Sequence, residues 1–371
     1  MIVFPAEFNA RKEAVFAALT RAAGGGRRLW VIPLSFADYP ETAARTAEAL
    51  ARAKRQPKGA IGRWLKRQLI RGQYNWARGH FADHPERIAV AWNGLAGSRM
   101  AFMAGARDAG AATLYAELAP FPGRITLDAV GVNAEGSVPQ DAGFYRDWAG
   151  QDVGRNGEAW RAMGVGLTAR ASRRADVGQA GDALPDTPFL FCPLQVPDDS
   201  QVTLFAGWTG GMAGFLAALG QAAERLPDGW HLRLKEHPSA KVPLAGLIAP
   251  LVAGGRVVLD NAADSFAQLV ASRGVVTLNS SMGLQAMFHD KPVVVLGRAF
   301  WALPGVARQV TGQADLDATL AAPDALTFDP AARARFMNWL DQCYYPRFAW
   351  PGGDADAAAF AARLAAARDL R

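Results

Sequence analysis

Two short runs that are apolar throughout, rather than at alternate positions, constrain this chain most: Gly274 to Leu278 (GVVTL) and Pro292 to Leu296 (PVVVL). A strand apolar on both sides must be covered on both faces, which is the condition met inside a parallel sheet. Between the runs, Asn279, Ser280 and Ser281 are helix N-cap types, and Met282 to Phe288 carries apolar residues at helical spacing with Gly283 as its one weak helix former. Strand, capped helix and strand make a βαβ unit, and such sheets bind ligands beyond the carboxyl ends of their strands. A helix opening there offers N–H groups and two hydroxyls to an anion, so Asn279, Ser280 and Ser281 are candidate phosphate contacts. An ordinary capped helix fits the same residues.

The alternation runs through most of the chain. Ile2 to Phe4, Ala10 to Ala23 and Leu29 to Leu34 read as strand, helix, strand, with Gly24 to Gly26 as the helix stop. Ile88 to Trp92 is a strand running into Asn93-Gly94, Arg99 to Ala109 a helix, and Leu114 to Glu117 the next strand. PFPGR and DAVGVNAEGSVPQD, which follow, are too polar and too rich in Gly and Pro for regular elements. Gly164 to Thr187 turns small and polar, and a domain break is placed there, at 180/181. Beyond it strands are expected at Phe189 to Leu194, Leu232 to Lys235 and Val257 to Leu259, alternating with helices at Met212 to Arg225, Leu244 to Val252 and Ser265 to Ala271. With 371 residues the chain exceeds the roughly 250 to 300 that one core holds, so the expectation is two α/β domains, 1–180 and 181–330, facing each other across a cleft. Helices in 331–371 are expected to pack back on the first domain.

Residues at strand ends are the candidates for chemistry. Lys235, Glu236, His237 and Pro238 close the strand HLRLKEHP, where a lysine ammonium and a histidine held by the following proline suit a phosphodiester or a carboxylate. A strand-ending turn with surface charges fits equally. Glu117 ends another strand and is placed as a nucleophile or base on a sugar carbon, with Asp128 of ITLDAVGVN as its rival. Gln195 of LQVPDDSQV holds the corresponding position at the start of the second domain. Asp315-Leu316-Asp317 and Asp354-Ala355-Asp356 lie at helix starts, where acids suit the dipole, so no metal ligand is assigned. Cys192 and Cys343 lack metal-type spacing and argue against a disulfide framework. No G-x-S-x-G elbow, P-loop or H-E-x-x-H occurs.

The formal charge of +6 is concentrated: Ala49 to Ala82 holds no Asp or Glu. Arg63, Lys66, Arg67 and Arg71 alternate there with Ile61, Trp64, Leu65, Leu69 and Ile70, so a basic amphipathic helix is expected, with an anionic membrane surface as its partner. A solvated helix packed on its own domain is the competing reading, and no nucleic-acid module accompanies the charge. The start, MIVFPAEFNARKEAVFAAL, is interrupted by Glu7 and Glu13 and has no basic n-region, which places the protein in the cytoplasm, peripheral at the inner membrane.

Several blocks together resemble the bacterial capsule polysaccharide synthesis and export proteins that act as β-Kdo transferases, most closely their single-module members. The blocks are AWNG (Ala91 to Gly94), LYAELAPFPGRITLDAVGVN (Leu114 to Asn133), LQVPDDSQV, LKEHP, and TLNSSMGLQAM with KPVVVLGRAFW. The resemblance implies a GT-B-like fold of two Rossmann-like domains, a CMP-Kdo donor, retention of configuration and no cofactor. It further implies that Lys235 and His237-Pro238 contact the CMP phosphate together with Ser280 and Ser281. Family members carry paired acids, Gly and an aromatic where this chain has Ala116-Glu117-Leu118-Ala119, and alignment on ITLDAVGVN puts Glu117 on the second acid. The acceptor is a lipid or a glycan. Two other functions fit the same blocks: a related transferase using another nucleotide sugar, and a non-catalytic partner of capsule assembly or export.

Overall fold

The computed structural model describes residues 1–168, 172, 174, 176–179, 184, 186–241 and 244–371. In chain order the first elements are β1 (Ile2–Pro5), α1 (Ala10–Ala22), β2 (Gly26–Leu29), α2 (Thr42–Ala51), α3 (Ala60–Asp83), β3 (Ile88–Trp92), α4 (Gly97–Asp108), β4 (Thr113–Leu118) and β5 (Ile125–Asp128). Then come α5 (Ala142–Ala149), α6 (Val153–Asn156), β6 (Phe189–Pro193), α7 (Ser200–Phe205), α8 (Met212–Ala223), β7 (His231–Lys235), α9 (Ala245–Ala253), β8 (Val257–Leu259) and α10 (Ser265–Ala271). The last are β9 (Gly274–Thr277), α11 (Ser281–Ala286), β10 (Val293–Val295), β11 (Arg308–Gln309), α12 (Gln313–Ala321), α13 (Pro330–Trp339) and α14 (Ala357–Asp369). These form two compact units, Met1–Val138 with Asp341–Arg371, and Pro139–Leu340. The break placed by sequence at 180/181 falls on residues outside those described. The units divide at 138/139 instead, because α5 and α6 pack on α13.

The first unit is built on a five-stranded sheet of order β2-β1-β3-β4-β5. Its first four strands are parallel, and β5 runs antiparallel to β4 with Glu117 opposite Thr126 and Tyr115 opposite Asp128. The hairpin adds a strand the sequence reading did not place: between the irregular segments PFPGR and DAVGVNAEGSVPQD, Ile125 to Asp128 pairs with β4, all four residues buried. The strand expected at Leu29 to Leu34 is also displaced. Its partner β1 ends at Pro5, opposite Leu29, and beyond that point Trp30 and Val31 are exposed. Phe4 and Phe16 stack between sheet and α1, while Phe348, Phe360 and Leu364 of the chain's end cover the same core. A second cluster joins α2, α3 and α4 through Ala49, Ile70, Tyr74 and Met100. The last two helices meet closely because a Cβ at Gly105 would stand 2.7 Å from the Tyr74 carbonyl oxygen and 2.8 Å from Ala77 Cβ.

The second unit is built on a six-stranded sheet of order β11-β10-β9-β6-β7-β8, parallel at every pairing. Its central strands β6, β7, β9 and β10 are buried along their whole length; β6, β9 and β10 are the apolar runs this requires, while β7 (HLRLK) also buries His231, Arg233 and Lys235. Phe215, Leu216 and Leu219 of α8 pack with Leu190, Leu232 and Val276 in one core. The chain starts at β6, walks outward to β8, then returns to β9 on the other side of β6. This doubly wound order reverses between β6 and β9, the place where such sheets bind ligands.

Candidate functional site

A pocket open to solvent lies at that reversal, where sheets of this winding bind ligands. Its walls come from the carboxyl ends of β6 (Pro193, Leu194) and β7 (Lys235 to Pro238), from Ser265 and Phe266 of α10, and from Ser280, Ser281 and Met282 at the opening of α11. Ser280 is the N-cap of α11: its hydroxyl accepts from Met282 N at 3.2 Å, and its own N–H donates to Thr277 Oγ1 at 3.1 Å. Gly283 has a packing reason. A Cβ there would meet the Trp301 ring and stand 2.9 Å from Thr277 Cγ2, so glycine lets α11 settle onto its own strand end.

His237 lines the cavity and is half-buried. Its Nδ1 accepts from Ser239 N at 3.0 Å, which makes Nε2 the protonated nitrogen of the neutral ring and a donor. Lys235 sits differently. Its side chain is 2% exposed, and Nζ donates to the carbonyls of Gly178 (2.9 Å), Asn261 (2.9 Å) and Ala263 (2.6 Å). Lys235 thus lines the cavity while its ammonium holds the loops at 178 and 260–263 through these three carbonyls. Burial lowers its pKa, with Asp260 and Asp264 opposing. Neighbouring charges hold the same loops. Asp260 accepts from Ala262 and Ala263 N at 2.9 Å and pairs with Arg233 at 2.5 Å, and Glu236 accepts from Arg174 (2.9 Å), Asn261 (3.0 Å) and Leu244 N (2.5 Å). Burial works to raise the Glu236 carboxyl, but those hydrogen bonds outweigh it and leave the pKa lowered.

Gln195 and Asn279 face each other rather than a ligand. Gln195 Nε2 donates to Asn279 Oδ1 at 2.8 Å, Asn279 N donates back to Gln195 Oε1 at 3.1 Å, and Asn279 Nδ2 donates to the carbonyls of Gln201 (2.8 Å) and Phe205 (3.0 Å). The pair ties the loops after β6 and β9 together, and their expected donor contact becomes one of positioning.

In the first unit, Glu117 lies near the end of β4, part-buried, with Asn93 Nδ2 donating to its Oε2 at 3.0 Å. Asn93 and Gly94 both have positive φ, 62° and 75°, a turn that Asn and Gly adopt readily and that turns the amide onto Glu117. Asp128, the rival, is a structural anchor. It accepts from Val130 N, Gly131 N, Ser137 N, Ser137 Oγ and Tyr344 Oη at 2.7 to 3.1 Å, and because β5 runs antiparallel it is paired with Tyr115, away from the strand tips. The sequence reading missed Glu7, which follows β1 at the point where the first sheet reverses its winding. It is buried against Lys12 (3.1 Å) and Arg99, with Lys12 Nζ 4.8 Å from the centre of the Trp92 ring. An acid one residue beyond a strand-ending Pro-Ala was the available signal.

Arg63, Lys66, Arg67 and Arg71 lie in the first half of α3; Arg71 pairs with Asp38 at 3.1 Å. Among the described residues no group of His, Cys, Asp or Glu is arranged to hold a metal ion, and no helix is long and apolar enough to cross a membrane.

Residues 161–340, the stretch that contains the whole cavity, match the family of capsule polysaccharide biosynthesis proteins. Protein FixF of Sinorhizobium fredii is 29% identical over 283 residues, covering 76% of this chain and 66% of that protein. Capsule polysaccharide modification protein LipB of Neisseria meningitidis is 30% identical over 147 residues, 38% of this chain and 34% of LipB. The chain thus spans just under two thirds of FixF and about a third of LipB. Among solved structures, the beta Kdo 2,7 transferase of Thermosulfurimonas dismutans KpsC is similar with a TM-score of 0.52 at 11% identity, covering 99% of this chain and 98% of that one. The beta Kdo 2,4 transferase of the same KpsC gives 0.50 at 14% identity, covering 97% and 98%. The fold is therefore GT-B-like, with two Rossmann-like domains.

Proposed function

We propose that this chain is a retaining glycosyltransferase of capsular polysaccharide biosynthesis, of the single-module kind, that moves Kdo from CMP-Kdo to a lipid or glycan acceptor at the cytoplasmic face of an anionic inner membrane. The observation that carries the reading is the cavity at the reversal of the second sheet, lined by His237, Ser280 and Ser281 and lying wholly within the capsule-biosynthesis match. The GT-B-like fold supports it. In this reading the second unit holds the nucleotide and the first the acceptor.

The Glu117 carboxylate attacks the anomeric carbon as the bond to the CMP phosphate oxygen breaks, its electron pair leaving with CMP. The acceptor hydroxyl then attacks the same carbon, displaces Glu117 and loses its proton to solvent. Two inversions give net retention. Nε2–H of His237 and the hydroxyl of Ser281 stabilise charge on the departing phosphate, while Lys235 adds a positive field from the cavity wall. Neither step calls on a divalent cation.

Purified protein incubated with CMP-Kdo and lysophosphatidylglycerol, with products read by mass spectrometry, tests the reaction. Glu117→Gln is expected to cut turnover by about a thousandfold or more while CMP still raises the melting temperature. His237→Ala is expected to weaken CMP binding by about tenfold or more, the loss of one hydrogen bond to a charged group. Full turnover by Glu117→Gln would remove the nucleophile assignment. Stabilisation by UDP or GDP in place of CMP would replace the donor, and absence of turnover with any donor, together with a stable capsule-assembly partner, would make the protein non-catalytic.

A further inference from the structure

The exposed start of α3 and the loop beside it form an apolar patch with a basic rim. Ile61, Trp64, Leu65 and Leu69 are 77%, 59%, 55% and 42% exposed. Their spacing puts them on one side of the helix, opposite Ile70, Tyr74 and Ala77, which face the domain. The stripe is therefore not the core-facing side of the helix. The loop after β2 adds to it: Ser35 N donates to the Gly72 carbonyl at 3.0 Å and Leu34 packs over Gly72, which leaves Phe36 98% exposed nearby. Arg71 lies on one flank of the stripe with Arg67 behind it, Lys66 lies toward the other, and Arg63 is exposed on the far side of the helix. Trp64 at the boundary between an apolar stripe and a cationic flank has the arrangement of an interfacial anchor.

We infer that this face seats the protein on an anionic bilayer, with Trp64, Leu65 and Phe36 entering the headgroup boundary, Lys66 and Arg67 pairing with lipid phosphates, and Arg63 and Arg71 adding to the local positive charge. The charge decides the occupant. A protein partner covering so apolar a stripe needs no acid-free run of this length, whereas an anionic lipid surface attracts each basic residue near it. The inference gives the membrane placement proposed above a surface, and its test is separate from the sugar chemistry.

Flotation of the intact chain with phosphatidylcholine vesicles, with and without 30 mol% phosphatidylglycerol, is the experiment. Binding is expected only with phosphatidylglycerol and should fall as salt rises from 0.05 to 0.5 M. Arg63→Ala/Lys66→Ala/Arg67→Ala is expected to weaken it by about a hundredfold, roughly fivefold for each basic residue removed. Trp64→Glu/Phe36→Glu should abolish it, and Val165→Glu, at a position 90% exposed in the second unit, should leave it unchanged. Stabilisation by CMP in all these variants would show that fold and donor site are intact. Equal binding to neutral vesicles, wild-type binding by Trp64→Glu/Phe36→Glu, or self-association in sedimentation velocity that these variants abolish while vesicle binding is absent would each overturn the inference.

Discussion

Replacing Lys235 by methionine keeps the length of the apolar stem and removes only the ammonium, so it separates a strut from a ligand contact. The three hydrogen bonds from Nζ to Gly178, Asn261 and Ala263 are charge-assisted, at about 1.5–3 kcal/mol each, or roughly 4.5–9 kcal/mol together. Against this, removing a buried cation returns a desolvation penalty of several kcal/mol. The balance is a loss of about 3 kcal/mol, in the range that follows when one side of a buried charged network is deleted. Chemical unfolding followed by fluorescence should show the midpoint fall, and amide exchange should accelerate first around 260–264, whose carbonyls lose their donor. A direct phosphate contact behaves otherwise: stability without ligand is kept, and CMP affinity alone falls. A stability change under about 1 kcal/mol with a large loss of CMP affinity would refute the strut.

Asp128→Ala removes the acceptor for five hydrogen bonds in the first unit and is expected to cost about 3 kcal/mol or more, read as a lowered urea midpoint; wild-type stability would contradict the anchoring role. Gly283→Ala drives a methyl against Trp301 and Thr277 and should cost about 1–3 kcal/mol, with part of it recovered in Gly283→Ala/Trp301→Phe. His80 is held down to about 4 by burial, with Arg87 and His84 adding to the effect, and Arg87 donates to its Nε2 at 3.1 Å. Because its folded pKa lies below the unfolded value near 6.5, its contribution to stability is present above about pH 6.5 and is lost as pH falls toward 4. Urea midpoints between pH 7.5 and 4.5 should therefore fall less steeply for His80→Gln than for the wild type.

The second unit was the more legible half of the chain because its strands are covered on both faces. Val257–Leu259 and Ser265–Ala271 coincide with the sequence reading, and β6, β7, β9 and β10 differ from it by a residue or two at their ends. The first unit was less legible where its chemistry departs from that rule. Trp30 and Val31 are apolar and exposed, so they extended a predicted strand that the sheet does not contain. ITLD is a short antiparallel edge strand between two Gly- and Pro-rich stretches, too brief to register as a pattern. The break at 138/139 has no compositional mark, since it depends on α5 and α6 packing on α13 almost two hundred residues away.

The strand ends singled out from sequence at Lys235 to Pro238 and Ser280-Ser281 line the cavity, but the local partners of the polar residues there were not legible. A strand tip is where backbone carbonyls of the following loops converge, and a long cation such as Lys235 can satisfy them as readily as it can meet a phosphate. Which it does depends on loops 178 and 260–263, far apart in sequence. The same competition takes Asp128, whose neighbours Val130, Gly131 and Ser137 supply three N–H groups in one turn of chain, and Gln195, whose amide matches that of Asn279. His237 follows a different course because its one ring acceptor is used by Ser239, two residues on, which fixes the ring and leaves its other nitrogen as a donor at the cavity wall. Ser280 and Ser281 both line the cavity, and Ser280 also caps the helix. His237 and Ser281 at the cavity wall of the second unit, and Glu117 near the end of β4 in the first, are where substitutions should change chemistry more than stability.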